Sequence, residues 1–191
     1  MCRSGGKEMR KLSIANLIRR WRKKDDGLVA VEFAMLSIPF LLLIMGTLEV
    51  SLYFAAGLVL EGSSNSAARL IRTGQIDASP DPETAFADML CDQADAILDC
   101  TKLQYEVIAM DDGTFSSAAA TSPVFDPEGN LIGAGFSPGG SEDVVLVRTA
   151  YKYEFLMPMV GTLLSGDSGQ NWLTLGSTVV IKNEPFTFGS D

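Results

Sequence analysis

Twenty-one consecutive residues, Leu28 to Leu48, contain a single ionisable side chain, Glu32. As a helix this run measures about 31 Å at 1.5 Å per residue. A bilayer's hydrocarbon core is about 30 Å thick, so the run predicts one membrane-spanning helix. An ordinary single-pass anchor, with Glu32 marking its cytoplasmic edge, is one competing reading; a cleaved secretory signal, with Ala55-Ala56-Gly57 as its small-residue site, is another. The run is too long for the usual apolar segment of about 7–15 residues. A carboxylate at the centre of a membrane helix costs about 2.5–3.5 kcal/mol. Glu32 sits near one end, where the cost is lower, but it still asks for a partner.

The charge is divided around this run. Residues 1–27 hold nine Lys and Arg against Glu8, Asp25 and Asp26, a net of +6, while the rest of the chain carries −15 of a whole-chain −9. Basic residues flanking a membrane helix stay in the cytoplasm. The N-terminus is therefore expected inside and the long C-terminal part outside, in the periplasm or beyond. Ile14, Leu17, Ile18 and Trp21 follow helical spacing among Lys and Arg, the pattern of a basic amphipathic helix on the inner leaflet. An acidic exterior does not favour nucleic acid.

Glu32 lies four residues after Leu28 and five after Gly27. A cut between Gly27 and Leu28 would leave an ammonium on Leu28 one helical turn from the Glu32 carboxylate, on the same face. Type IV prepilins have this layout: a basic leader, Gly at the cut, Glu at the fifth mature position, then an apolar helix. The wider stretch Gly27-Leu-Val-Ala-Val-Glu-Phe-Ala-Met35, with Gly46-Thr-Leu-Glu49 further on, resembles the TadE-like (TadE/TadG) family, pseudopilin-like proteins of the bacterial tight-adherence (Flp pilus) machinery. The ending Lys182-Asn-Glu-Pro-Phe186 is similar to the end of such domains. The resemblance implies processing at Gly27 and Leu28 by a prepilin peptidase and a helix-assembly role for Glu32. It also implies partners among the inner membrane, other pilus subunits and the secretion machinery. Asp25-Asp26 precede the junction where prepilins usually carry Lys or Arg.

The apolar pattern continues past Leu48 with Glu49, Ser51, Glu61 and Ser63 interleaved, so one helix is expected from about Leu28 to about Ile71, kinked at Pro39 and stopped by Gly74. Gly57, Gly62, Ser63, Ser64, Ser66, Ala67 and Ala68 make a small-residue face for close packing. Three regions follow: a basic cytoplasmic leader (1–27), a long helix (28–74, in the membrane over about 28–50), and an extracytoplasmic domain (75–191). Asp81-Pro82-Glu83 starts a second helix with the apolar stripe Phe86, Leu90, Ala94 and Ile97. Alternation predicts strands from Leu103 to Ala109, Val144 to Phe155 and Trp172 to Lys182, with Met157–Leu164 as a helical turn. The strands suggest an antiparallel sheet with one polar face, covered on the other by the outer half of the long helix. Residues 110–142 read as loop, with a short hairpin around Val124–Ile132. The expected class is α+β, pilin-like: a long membrane helix running into a domain in which one further helix packs on a small sheet.

The chain has no His, which removes His-based triads, His acid–base pairs and His metal ligands. Asp111-Asp112-Gly113 and Asp77/Asp81/Glu83 lack EF-hand spacing and suit turns and caps. Gly133-Ala-Gly135 lacks the helix and third glycine of a phosphate loop. No catalytic residue, cofactor or metal is expected. Cys2 belongs to the leader. Cys91 and Cys100 fall outside, where disulfides persist, and are expected to pair; the second helix must then end near Leu98 and the chain fold back. Two classes of function remain: a minor, non-enzymatic pilus-assembly component, or a single-pass anchored extracytoplasmic enzyme or binding module.

Overall fold

The computed structural model describes residues 26–110, 113–133, 135–166 and 169–186. Residues 1–25 of the leader expected over 1–27, with Cys2 and the amphipathic pattern, and the Asp111-Asp112 pair lie outside the described residues. Two compact units divide at Met45–Gly46.

The long helix, α1, runs from Asp26 to Arg72 and continues through Pro39. In the first unit Val29, Phe33, Met35, Leu36 and Leu43 are all exposed. This helix is long and apolar enough to cross a membrane. Its end is a glycine stop. Gly74 has φ 70°, a conformation that costs a residue without Cβ little, and its N–H donates to the Ile71 carbonyl at 2.9 Å.

The second unit is α+β. Its sheet has three antiparallel strands in the order β1 (Leu103–Ala109), β2 (Val144–Glu154), β3 (Trp172–Lys182). Val147 of β2 pairs with Val107 on one side and Val179 on the other. One face of β2 lies under the helices. Val145 and Val147 meet Ala67, Ala68 and Ile71 of α1 together with Phe86 and Leu90 of α2 (Pro82–Ala94). Tyr151 and Leu175 meet Ala56 and Leu60 of α1, Ala94 of α2, and Leu98. The small residues let the helix approach the strands closely, and Ser64 Oγ reaches Thr149 Oγ1 at 2.5 Å.

Helix α2 begins as its sequence predicts. Asp81 accepts from the Thr84 N–H and, at 2.6 Å, from the Thr84 hydroxyl, and Pro82 follows it. It ends earlier than the stripe suggests, at Ala94. Ile97 is therefore half-exposed in the following turn, and Leu98 takes the buried place.

The expectation of one polar sheet face is corrected. Val144 and Leu146 on the opposite face are buried with Ala118 of α3 (Phe115–Ala120), and Arg148 is buried beside them. The segment between β1 and β2 supplies this cover, so it is more than the open loop its composition suggests. Asp126 and Asn130 close a turn through Asn130 N–H to Asp126 Oδ1 at 2.7 Å, and Phe125 bridges Leu131. Gly129, at φ 81°, sits against the Trp172 ring, where a Cβ would collide. Asn183 of the C-terminal motif donates to the carbonyls of Pro138 and Gly140, at 3.1 and 2.8 Å. A last helix, α4 (Pro158–Ser165), lies between β2 and β3.

Candidate functional site

Gly27 and Leu28 occupy the first turn of α1, and Glu32 the next. Residues four apart lie on one helix face, so the backbone keeps the Leu28–Glu32 relation that the spacing predicts. Gly27 is exposed, nothing lies within 4 Å of where its Cβ would be, and Glu32 is exposed. In water such a helix would leave a large apolar surface uncovered; in hydrocarbon that surface needs no cover.

A second carboxylate on α1 has the opposite surroundings. Glu49, one residue beyond the apolar run, is only 3 % exposed. Its two oxygens accept the backbone N–H groups of Leu156 and Met157, the latter at 2.9 Å. Met157 is the N-cap residue of α4 and brings no side-chain cap of its own. The Met157 N–H stands at the start of that helix and the Leu156 N–H just ahead of it, and a carboxylate suits the positive end of the helix dipole. Glu49 thus holds, from 108 positions away, the N–H of the N-cap residue and that of the residue before it. Next to it, Tyr53 stacks on Phe155 with centroids 5.6 Å apart and meets Tyr153 edge-on at 5.5 Å. Partial burial, and then the Glu49 charge, raise the Tyr153 hydroxyl above its usual value.

Sequence reading quoted Glu49 within a motif and assigned it no contact. The signal was present in the spacing. Glu49, Tyr53, Ala56, Leu60, Ser64, Ala67 and Ile71 recur every three or four residues, which puts Glu49 on the stripe that meets the domain.

Two further polar features are internal. Arg148 Nη1 and Glu106 Oε1 form an ion pair at 2.7 Å, with both side chains about 95 % buried, and Arg148 Nη2 also donates to the Thr121 carbonyl. Cys91 and Cys100 are joined in a disulfide with Cα atoms 5.5 Å apart, tying the last turn of α2 to the short 3-10 turn Cys100–Lys102 ahead of β1. Asp95 lies beside this pair, but sulfurs bonded to each other offer no thiolate to a metal. A cleft between the end of α1 and α2 is lined by Ser66, Arg69, Leu70, Gln75, Met89 and Gln93. Its Ser66 hydroxyl donates to the Gln93 amide oxygen at 2.9 Å, and the lining holds no carboxylate to act as a base on it.

A family model described as TadE-like protein covers residues 27–69. The matched stretch starts at Gly27, contains Glu32 and Glu49, and stops short of the sheet and of Lys182–Phe186. No curated protein and no solved structure matches the chain. The family that the Gly27–Met35 stretch resembles is thus the family whose model the α1 segment matches.

Proposed function

We propose that this protein is a minor, pseudopilin-like, non-enzymatic assembly component of a tight-adherence (Flp type IV) pilus. It acts by packing its long helix in the inner membrane and presenting the α+β unit outside. The observation that carries this reading is the TadE-like match over residues 27–69, which takes in the exposed apolar part of α1 together with part of the stretch packed on the domain. Residues 1–27 form the cytoplasmic leader, about 28–50 span the membrane, and 75–191 form the periplasmic domain. A prepilin peptidase cuts between Gly27 and Leu28. The new ammonium then faces Glu32 in the same chain or in a neighbouring subunit. Two such charges about 4 Å apart attract by roughly 4 kcal/mol at an effective dielectric near 20, a reason to keep a carboxylate at membrane depth. The absence of His and the packed surroundings of Glu49 and Arg148 support an assembly role over catalysis.

The test compares surface pili and membrane-isolated protein for the wild type, Glu32→Gln and Gly27→Trp. Wild-type protein is expected to begin at Leu28 on N-terminal sequencing. Gly27→Trp should remain unprocessed, and Glu32→Gln should insert normally but reduce piliation. A mature chain beginning at Met1 removes the processing claim. Normal piliation of a strain lacking the protein overturns the assembly role. A C-terminal reporter active only in the cytoplasm overturns the orientation.

A further inference from the structure

We propose that helix α4 is a second membrane contact, lying in the lipid interface at the Glu49 end of α1. Leu156 to Gly166 contains no ionisable residue, in a domain that is otherwise strongly acidic. The segment has an inner and an outer side. On the inner side Val160 is buried, with its Cγ2 4.0 Å from where a Cβ on Gly46 would be. Gly161 lies against Asn171, whose amide donates to the Phe155 carbonyl at 2.7 Å. On the outer side Leu156 and Leu163 are each 80 % exposed, and Met159 is 58 % exposed.

Lipid is the occupant because of where this face is held. The Leu156 and Met157 N–H groups are bonded to Glu49, and Val160 approaches Gly46. Both α1 residues stand at the end of the Leu28–Leu48 apolar run. A segment clamped there is level with the boundary between hydrocarbon and headgroups if α1 spans the bilayer. An interfacial helix buries its apolar side about 5–10 Å into that boundary. Pro158 has no N–H to satisfy, and Glu49 accepts the N–H groups of Leu156 and Met157 just ahead of the helix, so fewer unpaired donors face lipid at this end. Leu48 and Leu52 of α1, next along the chain, are also about half-exposed.

The inference rests on the membrane-anchor reading of α1, and the experiment separates the two. The full chain, with Cys2→Ser and the disulfide intact, is reconstituted in phosphatidylethanolamine–phosphatidylglycerol vesicles. Single cysteines at Leu163→Cys, Leu156→Cys, Phe40→Cys and Ser116→Cys carry an environment-sensitive fluorophore. Quenching by lipids with a nitroxide at acyl carbon 5 is then measured. Probes at Leu163 and Leu156 are expected to be quenched several-fold more than the probe at exposed Ser116 on α3. Quenching at Phe40 with Leu163 and Leu156 no different from Ser116 overturns the inference and leaves the anchor standing. No quenching at Phe40 overturns both. A photo-crosslinker at Leu163 that captures a second copy of the chain or another protein, instead of lipid, also overturns it.

Discussion

The Glu49 carboxylate accepts the Met157 N–H at 2.9 Å, joining the end of the apolar run to the start of α4 across 108 positions. A buried group that loses its hydrogen-bond partner costs about 1–3 kcal/mol. Glu49→Ala leaves two N–H groups at the start of α4 without their acceptor and is expected to destabilise the exported unit by about 2 kcal/mol. Glu49→Gln keeps one acceptor oxygen and should lose about half of that. Thermal unfolding of the detergent-solubilised full chain gives the totals. Amide exchange at Leu156 and Met157 should accelerate first in both variants.

The Arg148–Glu106 pair makes a different prediction. Removing one member of a buried ion pair strands the other and costs about 3–5 kcal/mol, whereas replacing both by apolar residues is often close to neutral. Arg148→Met alone and Glu106→Leu alone are each expected to unfold the unit at markedly lower denaturant. The double variant should recover most of the loss. Denaturant titration of all four proteins gives the coupling directly. Additive losses would mean that the two charges are stabilised independently of each other.

The Cys91–Cys100 bridge closes a short loop, its ends nine positions apart. Chain-entropy reasoning gives about 2–3 kcal/mol for a loop of this size. Replacing both cysteines with Ser should lower stability by that amount and abolish the dependence of the melting temperature on reductant. Thiol titration of protein isolated from membranes without reductant should find neither sulfur free.

Asp81 predicts an acid-sensitive helix start. The Thr84 hydroxyl, and then the Thr84 N–H, hold its carboxyl below the usual aspartate range. A lowered native value means the cap's contribution is fully present at neutral pH and is lost as pH falls through that lowered value. Amide protection at Thr84 and Ala85 should therefore fall in strong acid. Asp81→Asn keeps an acceptor at the cap, so its protection at the same amides should not change with pH.

Much of the architecture was readable from residues alone, because period and punctuation act locally. The long helix, the Asp81-Pro82 start of α2, the stop at Gly74 and the three strands follow from spacing, caps and turn residues. Sequence by itself also determined the stretch at Leu28–Leu48 as able to cross a membrane, since that depends on length and apolar content only. Tertiary structure decided what the polar residues do. Arg148 reads as the outward side of a strand until α3 closes over it, and Ile97 reads as core until α2 ends a turn early and passes its place to Leu98. Glu49 looks like a break in an apolar pattern, and its role exists only because α4, more than a hundred residues later, ends up beside it. Local patterns are set by neighbours within a few positions. The partner of a buried charge is chosen by the whole fold, because desolvation makes an unpaired charge too costly to leave and the chain must bring a partner from wherever it lies.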